Sequence, residues 1–271
     1  MQILTRKRKN YKKRIIRIKK YIFQRMLTNK QIKLINSLHA KKGRTENQLF
    51  LVEGEKGILE LLKSKLDIQF LVLNDTLINE MSLMTTNIAI YFESENTLQK
   101  LSTLIANNFG IAVVKMPTNQ LFIDENGFTV VLDGIRDPGN LGTIIRICDW
   151  YGIANLVLSN DCTDYYNPKT ISASMGSFLR INHQYVNLES WIKNYPQVNK
   201  IGALLNGENI HTFSFPKSGF IIFGNESNGI RDSIISLVDQ AVTIPSFGFA
   251  ESLNVGISCA VFLDNLNRNK N

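Results

Sequence analysis

Three polar stretches interrupt an otherwise regular apolar pattern in the second half of the chain, and each carries residue types that group-transfer chemistry uses. The first, Asp137–Arg146, reads DPGNLGTIIR. The run Thr129, Val130, Val131 leads into it, so a strand, a Pro/Gly-broken turn and a helix N-terminus meet at one point. Such a point presents free backbone N–H groups, and α/β proteins keep their ligands there. At about 100° per residue, Leu141, Ile144, Ile145, Cys148 and Tyr151 fall on one stripe of the helix, with Arg146 facing away from it. Taken alone, Arg146 reads as a surface cation paired with Asp149 at i+3. Gly142, one turn earlier, is expected to leave the backbone open beside the guanidinium.

The second stretch, FGNESNG, sets Glu226 between Gly224 and Gly229 at a strand-to-helix turn. A P-loop would need GK[ST] after its spacer, and that is absent. A glycine-rich turn with a capping carboxylate is the plain alternative. The third, IPSFGFAESLNVGIS, runs from Ile244 to Ser258, with Ser252 where a helix N-cap is expected. Gly256, Ser258 and Ala260 alternate with bulkier residues, which permits close helix packing in a core or a dimer.

The elements that position these stretches form two blocks. In the first, a short helix from Asn29 precedes four strands, Leu49–Val52, Ile68–Leu73, Ile88–Phe92 and Ile111–Lys115. Helices Gly57–Lys65, Asp75–Leu83 and Ser94–Asn107 separate them, predicting a compact α/β unit. Residues 117–127 read as a linker. In the second block, strands at Thr129–Leu132, Asn155–Leu158, Ile201–Leu204, Gly219–Phe223 and Ala241–Ile244 alternate with helices at Leu141–Trp150, Lys169–Gly176, Leu188–Asn194, Ile230–Val238 and Leu253–Asn267. Buried β-branched strands between helices predict a mostly parallel sheet. Glu53 and Glu55 flank Gly54 and read as structural or solvated.

In that order and spacing, DPGNLGTIIR, GNESNG and IPSFGFAESLNVGIS resemble the signature motifs of the SpoU (TrmH-type) branch of the SPOUT RNA methyltransferases. Asn167-Pro168-Lys169 through Ser174-Met175-Gly176-Ser177 also matches, although Ser172 stands where a basic residue is frequent. Lys33 to Leu62, including GRTENQLFLVEGEKGILELL, resembles the L30e-like substrate-binding domain that precedes the catalytic domain in many members. The resemblance spans residues 28–268. It implies an L30e-like RNA-binding domain over 26–116 and a trefoil-knotted α/β catalytic domain over 128–271, and it leaves the basic tail over 1–25 unexplained. It further implies S-adenosylmethionine as cofactor, RNA as substrate and a homodimer whose active site draws on both subunits.

By position, Gly224, Ile244 and Leu253 match residues that hold the cofactor. Asn140, Arg146, Glu226, Ser252 and Asn254 match those associated with catalysis or with ordering the site. Lys41, Lys42, Arg44 and Lys169 are candidate RNA contacts, the first three alternatively a solvated turn. The implied reaction is methylation of a ribose 2′-hydroxyl, in large-subunit (23S) rRNA by virtue of the L30e-like front domain. A tRNA substrate, or a non-catalytic RNA-binding protein on the same fold, are the alternatives. A Rossmann enzyme would need GxGxxG after its first strand, which DGIRDPG does not supply.

The net charge of +8 belongs to one end of the chain. Residues 1–25 hold eleven Lys/Arg and no acid, and the remainder carries 20 basic side chains against 23 acidic ones. The tail is open to three readings: a nucleic-acid-binding arm, a targeting peptide, or an untranslated stretch with Met26 as the start. No run of about 18 apolar residues predicts a membrane span. The three dispersed cysteines suit buried thiols in a reducing compartment, so the expected location is cytoplasmic. The histidines lack metal-ligand spacing, and no metal is expected.

Overall fold

A computed structural model describes residues 26–77, 88–118 and 127–268. The basic tail, the end of the helix expected at Asp75–Leu83 and most of the expected linker lie outside the described residues. The chain divides into two compact units, one built from Leu66–Lys115 with the residues before Glu60, the other from Glu60–Lys65 with the residues from Met116 onward.

The first unit begins with α1 (Asn29–Ser37), whose Thr28 and Gln31 form a reciprocal capping box. Then follow α2 (Lys41–Asn47), β1 (Leu49–Glu53), α3 (Glu55–Leu61), β2 (Ile68–Asn74), β3 (Ala89–Glu93), α4 (Glu95–Leu101) and β4 (Gly110–Lys115). The sheet order is β1-β4-β2-β3, with β4 antiparallel to both neighbours and β2 parallel to β3. Ile35, Leu38, Leu51, Phe70, Val72, Leu98 and Val113 close its core. Helix α4 stops at Leu101, earlier than its periodicity suggests, because Ser102 and Thr103 turn back to donate to the Glu53 carboxylate. Glu53 is thus structural.

The basic patch Lys41–Arg44 is a helix, not a turn, and Arg44 is corrected as an RNA contact. Its side chain is 1% exposed and donates to the carbonyls of Leu38 and His39, both at 2.8 Å. A guanidinium this deeply buried, and held by the two carbonyls that follow α1, is not open to phosphate. Lys41 and Lys42 remain exposed.

In the second unit the elements are β5 (Phe128–Leu132), α5 (Pro138–Trp150), β6 (Asn155–Ser159), α6 (Pro168–Ala173), β7 (Asn182–Val186), α7 (Leu188–Lys193), β8 (Lys200–Asn209), β9 (Gly219–Phe223), α8 (Asp232–Ile235), β10 (Gln240–Thr243) and α9 (Val255–Asn267). All six strands run parallel in the order β10-β8-β9-β5-β6-β7. Helices cover both faces. Val131, Val157, Phe220 and Ile222 pack on the side of Leu188, Trp191 and Ile234, while Phe223 meets Phe262 of α9 edge-on. Among the described residues no helix is long and apolar enough to cross a membrane. All three cysteines are free and buried.

Strand β7 was not expected, because NHQYV reads as polar. Its His183 is buried and stacks on Tyr165 with ring centroids 3.5 Å apart. Burial pushes the imidazole pKa down from 6.5 to about 3. Above pH 6.5 the ring is neutral whether the chain is folded or not. Below it the unfolded chain takes up a proton that the folded chain refuses, so stability should fall by up to about 1.4 kcal/mol per pH unit until about pH 3. A His183→Phe variant keeps a stacked ring without this titration. Its urea midpoints at pH 7 and pH 4.5 should lie closer together than those of the parent, and an unchanged spacing would refute the assignment.

Candidate active site

The three polar stretches follow β5, β9 and β10, so all lie at the carboxyl edge of the sheet, and the first two follow adjacent strands. Open α/β sheets bind their ligands outside this edge of the strands. Two ties hold the β9 loop to the β5 loop. Asp133, its side chain fully buried, accepts from the backbone N–H of Arg231 at 2.8 Å, from its Nε at 2.7 Å and from its Nη2. Asn225 Nδ2 donates to the carbonyl of Gly134 at 2.7 Å. Asn225 and Gly229 also exchange backbone hydrogen bonds of 3.0 and 2.9 Å, closing a tight loop with Glu226 on it.

Helix α5 is started by Asp137, which accepts from the N–H of Asn140 at 2.8 Å, with Pro138 in the first turn. Lys169 Nζ lies 3.0 Å from Asp137 Oδ2. Its hydrogen bond, then that from the Asn140 amide, holds the Asp137 carboxyl below its usual range. The exposed pair contributes little stability; its effect is to fix the turn that carries Asn140.

One chain of hydrogen bonds then crosses all three stretches. Asn140 Nδ2 donates to Glu226 Oε1. Asn254 Nδ2 donates to Asn140 Oδ1 at 3.0 Å. The Oδ1 of Asn254 accepts from the N–H groups of Gly256 and Ile257 at 2.9 and 3.4 Å, so Asn254 is the N-cap of α9 and Ser252 is not. Ser252 and Leu253 are exposed on the loop before it, and Ile244 is half-buried at its start. An asparagine has both a donor and an acceptor end. Asn140 uses both, which fixes its amide orientation.

Arg146 lies farther along α5, exposed, and its guanidinium makes no hydrogen bond or ion pair among the described residues. The expected pair with Asp149 does not form, because Asp149 is held by Arg180 at 2.7 Å. Gly142 also differs from expectation. A Cβ there would lie 2.6 Å from both Ala173 Cβ and the Thr170 carbonyl, so the glycine serves close approach of α5 to α6 rather than an open backbone. Gly142→Ala should therefore push the two helices apart and cost about 1–3 kcal/mol, read as a lower urea midpoint. Gly256 plays a similar part, with Thr143 Cγ2 3.1 Å from its would-be Cβ.

The residues fit S-adenosylmethionine. Across residues 244–253 no backbone N–H or C=O pairs with another backbone group among the described residues; the loop's own polar contact is Ser246 Oγ to the Gly248 carbonyl at 3.2 Å. A run of uncommitted backbone groups, beside the exposed rings of Phe247 and Phe249, offers the donors, acceptors and apolar surface that an adenine and an amino acid need. Asp133, Asn225 and Arg231 escaped the sequence reading. The basic residue directly after GNESNGI was the one available signal.

The SpoU rRNA Methylase family model matches residues 127–264, and an MRM3-like substrate binding domain matches residues 29–106. The 23S rRNA (guanosine(2553)-2′-O)-methyltransferase RlmP of Bacillus subtilis is 33% identical over 242 residues, covering 88% of this chain and 96% of that protein. A solved structure of a putative RNA methyltransferase of the TrmH family from Porphyromonas gingivalis superposes with TM-score 0.81 at 29% identity, over 90% of this chain and 99% of that one. An AdoMet-bound rRNA methyltransferase from Sinorhizobium meliloti gives 0.79 at 27%, over 89% and 95%. With motif loops, sheet order and near full-length similarity in agreement, the chain belongs to the SpoU rRNA methylase family.

Proposed function

We propose that this protein methylates a ribose 2′-hydroxyl of large-subunit rRNA using S-adenosylmethionine, with Arg146 as the cation beside the reacting oxygen. The observation that carries this reading is the hydrogen-bonded chain Glu226–Asn140–Asn254, which ties three separate loops into one rim while Arg146 is left uncommitted. Large-subunit rRNA is favoured over tRNA because the similarity to RlmP runs through the front unit as well.

Bound S-adenosylmethionine supplies a methyl group already activated on a sulfonium. The residues therefore have to align the acceptor and favour the developing alkoxide. Arg146 remains charged and cannot serve as an ordinary base; it lowers the effective pKa of the 2′-oxygen and anchors a neighbouring phosphate, and the proton leaves to phosphate or water. Glu226 orients Asn140 and the β9 loop. Gly224, Ile244 and Leu253 hold the cofactor through their backbone, with Ser252 and Asn254 ordering the third loop. Lys41, Lys42 and Lys169 are assigned to the RNA backbone.

The reading includes a homodimer, a trefoil-knotted catalytic domain and a cytoplasmic setting. Trp150 at the end of α5 and Ile257 in the first turn of α9 are 83% and 54% exposed, apolar side chains that a second copy would cover. Mapping 2′-O-methyl positions in total RNA with and without the protein tests the activity. Calorimetry with S-adenosylmethionine separates it from a non-catalytic RNA-binding role, which no cofactor binding would favour.

A further inference from the structure

We propose that Arg180 and Ser177 are positioning residues that keep the carboxylate of Asp149 away from Arg146, leaving the Arg146 guanidinium uncompensated for the reaction. This rests on the reading of Arg146 given above. Asp149 follows Arg146 by three residues on α5, where side chains of a helix are neighbours. Left to itself it would be the natural counterion. Instead, both its oxygens are occupied from the other side. Oδ1 accepts from Arg180 Nε at 2.9 Å. Oδ2 accepts from Arg180 Nη2 at 2.7 Å, from Nε at 3.1 Å and from Ser177 Oγ at 2.7 Å. The carboxylate is 23% exposed, whereas Arg146 stands in solvent.

The SMGSFLR stretch is built for this contact. Met175 (φ 53°) and Gly176 (φ 94°) reverse the chain after α6. A single 3₁₀ turn, Ser177–Leu179, then packs against α5 and delivers the Ser177 hydroxyl and the Arg180 fork to one carboxylate. A fork of this kind binds both oxygens in a fixed plane, which lysine cannot do.

In water a free Arg–Asp pair at i+3 is a weak, screened contact. Under bound RNA, where water is excluded, the same carboxylate would offset the charge Arg146 offers to a developing alkoxide. The consequence is a suppressor relation that a merely structural role would not produce. With the full-length protein, S-adenosylmethionine and rRNA, Arg180→Gln should lower kcat at least about tenfold with cofactor affinity unchanged. Asp149→Asn alone should be near the parent, and the Arg180→Gln/Asp149→Asn double variant should recover to within about threefold of it. Should Arg180→Gln fail to fold by thermal melting, Arg180→Lys keeps the charge, loses the fork, and should show a smaller loss with the same recovery.

A double variant as slow as the single one, or a single variant as fast as the parent, overturns the proposal. A raised KM for RNA that Asp149→Asn does not relieve would make Arg180 a direct RNA contact instead, which also overturns it. Activity that survives Arg146→Lys would sink the reading of Arg146 itself. Dependence on Arg146 without suppression would sink only the inference about Arg180.

Discussion

Lysine in place of Arg146 is expected to slow single-turnover methylation by about 100-fold or more, while cofactor affinity stays within about twofold. The substitution preserves one positive charge near the end of a long side chain, so any role as a general electrostatic attractor of RNA survives. What it removes is the planar fork. A guanidinium can face an oxygen and a neighbouring phosphate together, whereas an ammonium is a compact, strongly hydrated point charge that serves one of them well. The loss should therefore fall on the rate of the bound complex rather than on the affinity of either ligand, which marks an interaction made in the transition state.

Rapid-quench measurement with excess enzyme, and calorimetry for S-adenosylmethionine, would check both halves. A near-normal single-turnover rate for Arg146→Lys would remove Arg146 from the chemistry. A large fall in cofactor affinity would place it at the cofactor instead. Because α5 leaves Arg146 exposed and bound to nothing else among the described residues, the variant should fold as well as the parent.

Much of the sheet was legible because its central strands are apolar on both faces. Phe128–Leu132, Asn155–Ser159 and Gly219–Phe223 are buried along their whole length, and such runs announce themselves without any pattern of alternation. Strand β7 stayed hidden because its polar residues are decided by tertiary surroundings: His183 is buried among tyrosines. Helix α2 was hidden by Gly43, which looked like a turn residue. It is glycine because a Cβ would sit 2.0 Å from the carbonyl oxygen of Ser37.

At the site, it was the family resemblance carried by the three motifs that picked out Asn140, Glu226 and Asn254, which the structure does bring together. Partner choice over long separations was not readable. Nothing local tells that Asp133 pairs with Arg231, or that Asp149 turns to Arg180 rather than to Arg146 one helical turn away. The same limit explains the cap of α9. Ser252 and Asn254 are both good capping residues, and the reach of Asn254 to Asn140 is a fact of the fold.

Gly224→Ala should impair cofactor binding and methylation together, with affinity for S-adenosylmethionine weakened by about 100-fold or more, roughly 2.7 kcal/mol. The added Cβ would lie 2.0 Å from the carbonyl carbon of Gly229 and 2.2 Å from the nitrogen of Ile230. These are backbone atoms, so no side chain can swing aside to make room. The loop closed by the Asn225–Gly229 pair must open, and Glu226 then leaves Asn140. Gly229→Ala is the informative contrast. Its backbone is left-handed (φ 67°), but nothing lies within 4 Å of the new methyl. The cost there is conformational, about 1–2 kcal/mol, and leaves the Glu226 end of the loop in place. Calorimetry on both variants should therefore show a much larger loss at Gly224 than at Gly229. Equal losses would mean that general loosening of the loop, rather than the close approach of its two ends at Gly224, governs cofactor binding.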